Sequence, residues 1–151
     1  MTTKAAAPSI PFLRWSWQSY DAHRPMTLIA FLGLAAAATM ALLGLPPIDL
    51  HGPLHYLGIM DPLCGATRAA FYTMRGEWVQ AWRYNPLGIL AVAGAVAATG
   101  RAVVGLLTRR WVTVAIAWTP RRRRWVIGLI LALAAILEVR QQLLASLLTG
   151  G

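Results

Sequence analysis

The sequence predicts an all-α, polytopic membrane protein with about three transmembrane helices and a short amphipathic or re-entrant helix. Three observations predict it. Apolar residues make up 58% of the chain and charged residues 13%, whereas a soluble domain is about half apolar and about a quarter charged. The apolar residues are clustered: residues 25–45, PMTLIAFLGLAAAATMALLGL, hold no charged side chain in 21 positions. The basic residues behind a net charge of +9 lie beside such runs. That places them at an anionic membrane surface rather than on nucleic acid, for which no motif is present. A chain of 151 residues suits one domain.

Residues 1–24 read as a cytoplasmic or interfacial segment, because Trp15, Trp17 and Tyr20 suit the headgroup level. The first span covers 25–45. A crossing of about 30 Å at about 1.5 Å per residue needs roughly 20 apolar positions. Its apolar core is too long for a signal-peptide h-region, so it reads as an uncleaved anchor. Pro25 opens the helix, and Pro46-Pro47 ends it.

From Asp61 the pattern becomes amphipathic. Asp61 is the expected N-cap, Pro62 the first helical residue and Gly76 the stop. Within this helix of about 61–75, Cys64, Thr67, Arg68, Phe71 and Arg75 share one face. It is too short and too polar to span alone, so it lies on the surface or dips in. Trp78 and Trp82 follow four apart. Asn85-Pro86 then caps and opens the second span, 86–108. Arg101 interrupts this span, its long stem taking the guanidinium to the headgroups. Gly94 and Ala98 form a small-residue face. A basic loop, 109–124, holds Arg109, Arg110, Arg121, Arg122, Arg123 and Arg124, the expected contacts for anionic lipid or an acidic partner. Within it, WVTVAIAW is too short to cross and reads as interfacial. The third span is expected at 125–146. The membrane domain as a whole covers 25–148.

Six basic residues in the loop, with three more before the first span, face three in the Ile48–Tyr84 connection, which also carries three acids. The positive-inside rule then puts the N-terminus in the cytoplasm and the cysteine-bearing connection toward the outer face.

Candidate chemistry is sparse. One cysteine excludes an internal disulfide and a Cys-pair zinc site. Arg68, one turn from Cys64, would favour thiolate, against which stands a small semi-buried side chain that lets helices approach. His51 and His55 are four apart with Pro53 between them and have no third ligand, so no metal is expected. Asp49, Asp61 and Glu77 are available for acid–base work, although Asp61 suits a cap and Glu77 a surface charge near Arg75. An arginine such as Arg68 on a membrane helix needs a partner: a lipid phosphate, Asp61, Asp49, a helix carbonyl or another subunit. No phosphate loop, nucleophile elbow or zinc-helix motif occurs, and no cofactor is expected.

The run PLCGATRAAFYTMRGEWVQAWRYNPL resembles a family of small bacterial membrane proteins, the domain of unknown function 2752. The resemblance rests on Pro62, Cys64, Gly65, Thr67, Arg68, Ala69, Gly76, Ala81, Asn85, Pro86 and Leu87. It covers the middle third of the chain and continues loosely into the second span. It implies a bacterial inner-membrane protein and supplies no reaction. Family members usually carry a cysteine where Asp61 stands and often another near His51. Cysteine-pair chemistry in relatives therefore cannot operate here, and the motif reads as architectural. Together these readings lead to an expected non-enzymatic accessory, scaffold or assembly subunit of a larger membrane complex, respiratory or transport-related. The alternatives are a small oligomeric transporter or channel, and a membrane enzyme using Cys64 or Arg68.

Overall fold

A computed structural model describes residues 13–45 and 61–146. In chain order these form β1 (Leu13–Gln18), α1 (Arg24–Leu43), α2 (Ala66–Met74), α3 (Trp78–Tyr84), α4 (Pro86–Thr108), β2 (Trp111–Ile116) and α5 (Pro120–Leu143). The protein is mostly helical, and among the described residues three helices are long and apolar enough to cross a membrane. At 20, 23 and 24 residues they are about 30–36 Å long, matching a hydrocarbon core of about 30 Å.

Local chemistry sets the ends of these helices. The Ala- and Leu-rich run of α1 is strongly helix-forming. It closes at Gly44, whose N–H reaches the Met40 carbonyl at 2.8 Å, so the helix stops before Pro46-Pro47, which lies outside the described residues. At the start of α4, Asn85 accepts the Leu87 N–H at 2.8 Å and Pro86 follows, as expected. In α5 the cap is Thr119, which accepts the Arg122 N–H, and Pro120 opens the helix. The helix that carries the third apolar run therefore starts five residues before Trp125. Arg121 to Arg124 form its first turn rather than the end of a loop.

The small sheet is a departure from the all-α expectation. β1 and β2 pair antiparallel, Leu13 opposite Ile116, Trp15 opposite Val114 and Trp17 opposite Val112. Both segments alternate side chains with a period of two, and β2 is rich in β-branched residues, which suit a pleated ribbon. Within the expected loop 109–124 the chain therefore makes a strand and a helix start. Trp111 lies on α4 at Gly105, where a Cβ would collide with its indole ring.

Contacts at the two ends of the helices fix their course. The strand pair joins the start of α1 to the end of α4 and leads into α5. At the opposite end, α2 packs on both α1 and α4. There Leu144 and Ala145, just past α5, cover Cys64. The chain thus has a sheet end and a motif end, with three crossings between them. Little of the long helices is buried: Ile29 is 72% exposed and Leu131 64%. Such faces suit lipid, where an apolar exterior costs nothing.

Candidate functional site

The motif forms a turn followed by a helix, clipped onto the start of α4. Asp61 Oδ1 accepts the Leu63 N–H at 2.8 Å, and the Asp61 carbonyl accepts the Cys64 N–H at 3.0 Å. Gly65, at φ 77°, is the residue before α2; this left-handed conformation favours glycine. Asp61 therefore caps a turn, and the helix begins at Ala66 instead of Pro62. At the other end Gly76, at φ 75°, stops α2 as expected.

Asn85 holds the clip together. It is fully buried. Its Nδ2 donates to the Pro62 and Cys64 carbonyls, both at 2.9 Å, while its Oδ1 caps α4. One side chain thus satisfies three backbone groups in three places. Buried polar groups without such partners would cost about 1–3 kcal/mol each. One turn on, Gly88 meets α2. A Cβ there would lie 2.5 Å from Ala69 Cβ and 2.7 Å from the Ala66 carbonyl oxygen. The face of α2 against α4 is therefore the small-residue one with Ala66, Ala69 and Ala70, not the Cys64–Arg68 face. Small side chains let the two backbones approach. No described residue of the chain packs on Gly94, around which the space is open.

Cys64 is buried against Tyr84, Leu144 and Ala145. The Arg68 guanidinium lies 5.6 Å from the centre of the Tyr84 ring, a cation–π distance. Tyr84 in turn stacks on Tyr72 at 5.3 Å. Thr67 and Pro62 are half-buried. Arg75 pairs with Glu77 at 3.0 Å on the surface, and Trp78 and Trp82 are both exposed. Among the described residues no group of three His, Cys, Asp or Glu side chains could hold a metal. Asp49, His51 and His55 lie outside the described residues.

Sequence reasoning missed a second polar centre, at the sheet end. Arg101 does not reach for the headgroups. Its Nη2 donates to Asp21 at 2.7 Å and to Thr27 Oγ1 at 2.6 Å, and its Nη1 donates to the Val112 carbonyl at 3.0 Å. Its guanidinium also faces the Trp111 ring at 5.7 Å. The pair is largely shielded, with the Arg101 and Asp21 side chains 17% and 10% exposed. Burial raises the Asp21 pKa, but hydrogen bonds from Arg101, Thr27 and the His23 N–H, with the Arg101 charge, outweigh it and hold the carboxyl below its ordinary value. An arginine inside an apolar run, with an acid near the start of another, was the available signal; the pairing across 80 residues was not.

Of the basic residues expected to meet lipid or a partner, Arg109, Arg110, Arg121, Arg123 and Arg124 are exposed. Arg122 is half-buried and donates to the Ala117 carbonyl at 3.4 Å. All six lie at the sheet end.

Residues 53–99 match the family model described as protein of unknown function, DUF2752. The matched stretch contains the whole clip, from Pro62 through Asn85 to Gly88, and runs into the middle of α4. The resemblance read from the motif thus falls on DUF2752. No curated protein and no solved structure matches the chain.

Proposed function

We propose that the chain is a non-enzymatic accessory, scaffold or assembly subunit of a larger bacterial inner-membrane complex, respiratory or transport-related. One observation carries this reading: the DUF2752 motif is turned inward. Asn85, Gly88 and Cys64 are engaged in holding α2 on α4, while the long helices present apolar faces outward. Such a framework suits a subunit that offers surfaces.

The sheet end is the cytoplasmic side on this reading, with the N-terminus there and the motif toward the outer face. Nine described arginines, at 14, 24, 101, 109, 110 and 121–124, stand at the sheet end with one acid, Asp21; four, at 68, 75, 83 and 140, stand at the motif end with three acids, Asp61, Glu77 and Glu138. That bias is the positive-inside pattern. Arg121 to Arg124 also occupy the N-terminal turn of α5, where a helix dipole disfavours cations. Anionic headgroups offset that cost, at about 1 kcal/mol per basic residue near the surface.

The test is purification of the tagged chain from its native membrane in mild detergent. A larger complex co-purifying at constant ratio is the expected result. A monodisperse homo-oligomer would replace the reading with an oligomeric transporter or channel.

A further inference from the structure

The ends of α3 and α5 border an open cleft of about 510 Å³, lined among the described residues by Trp82, Arg83, Arg140, Leu144 and Ser146. Among the described residues two arginines line it and no carboxylate does. Arg140 is held in place: its Nη2 donates to the Trp82 carbonyl at 2.5 Å and the Arg83 carbonyl at 3.3 Å. Next to it, buried Gln141 donates to the Tyr84 carbonyl at 3.1 Å. These donors cover the carbonyl end of α3, which would otherwise repel an anion. The other terminal nitrogen of Arg140, Nη1, is shielded from solvent and has no hydrogen-bond partner among the described residues. The Arg140 charge adds to that of Arg83 at the cleft, and a pair of guanidinium groups suits a phosphate. Arg83 is exposed at the same cleft.

The surroundings point to the source of the anion. Leu143, Val139 and Ile136, exposed by 79%, 60% and 66%, run down α5 from the cleft at helical spacing. They give acyl chains an apolar track. Trp82, 59% exposed, sits at the mouth, and tryptophan favours the headgroup level. We propose that this cleft binds the phosphate of an anionic phospholipid headgroup in the motif-end leaflet, between Arg83 and Arg140. The proposal rests on the membrane reading and not on the accessory role, so it survives if the partner experiment fails.

The test uses the full chain in neutral detergent, titrated with phosphatidylglycerol carrying brominated acyl chains, which quench nearby tryptophan. The contribution of Trp82 is the difference between wild type and Trp82→Phe. That contribution should saturate at lower lipid for phosphatidylglycerol than for phosphatidylcholine. Arg83→Gln, which removes an exposed side chain, should raise the midpoint at least fivefold, and Arg14→Gln, at an exposed sheet-end arginine, should leave it unchanged. Native mass spectrometry should show one fewer tightly retained phosphatidylglycerol in Arg83→Gln, a reading that does not depend on the Trp82→Phe variant folding. Equal midpoints for the two lipids, or no effect of Arg83→Gln on either readout, would overturn the proposal. So would complete displacement by inorganic phosphate, which would assign the site to free phosphate.

Discussion

Asn85 makes its three hydrogen bonds with two chemically different atoms, so its roles separate by substitution. Asn85→Asp keeps the oxygen that caps α4 but removes the amide that donates to Pro62 and Cys64. Asn85→Ala removes both. Thermal unfolding in detergent should rank both variants below wild type, Ala losing about 2–4 kcal/mol from one cap and two orphaned carbonyls, and Asp at least as much because its buried carboxylate would face two carbonyl oxygens. Gly88→Ala should cost about 1–3 kcal/mol, because the added methyl overlaps Ala69 and backbone atoms of α2 that cannot move alone. Gly94→Ala, into open space, should leave the melting temperature unchanged or raise it slightly. The cap was legible beforehand, because Asn followed by Pro opens helices by local rules. The donation to Pro62 and Cys64 was not: it spans more than 20 residues, and nothing in a sequence marks which carbonyls a capping amide will meet. The contact of Ala69 with Gly88 was hidden for the same reason.

At the level of elements, the strand pair and the Asp21–Arg101 bridge act together. The ribbon presents the Val112 carbonyl to Arg101, and Asp21 and Thr27 supply the acceptors at the start of α1. Removing only the acid, in Asp21→Asn, leaves a shielded guanidinium without its charge partner and should cost on the order of 3 kcal/mol. Replacing both, Asp21→Asn with Arg101→Leu, should cost less than the sum of the two single changes in a double-mutant cycle. The pH dependence follows from the lowered Asp21 pKa. The folded protein holds the carboxylate ionised more firmly than the unfolded chain does, so this stabilisation is present in full at neutral pH. It is lost as pH falls from the ordinary 3.8 through the lower folded value. Asp21→Asn should lack that acid-side component in melts taken between neutral and acid pH. The helices were legible as elements because apolar length is a strong signal. The ribbon was hidden because each strand has six residues, and a short alternating run with tryptophan reads equally well as a membrane-surface segment.

For the molecule as a whole, orientation is the quantity that labelling can decide. In a Cys64→Ser background, a cysteine placed at exposed Glu77 should react with an impermeant maleimide added outside spheroplasts. One at Ser16 should react only after the membrane is opened. The opposite pattern would invert the topology. The three crossings and the charge bias were visible in the sequence, but which arginines are spent on internal bonds was not: Arg101 and Arg140 are held by Asp21 and by the carbonyls of α3. The strand pairing has a further consequence for how the chain is made. Leu13 leaves the ribosome about a hundred residues before its partner Ile116, so the amino-terminal strand must wait, unpaired, while both intervening crossings are inserted. The ribbon is thus a late clasp, able to shut only when the second crossing has arrived on the correct side, and an arrested or inverted intermediate would leave the edge that carries Trp15 and Trp17 unmatched and open to quality control.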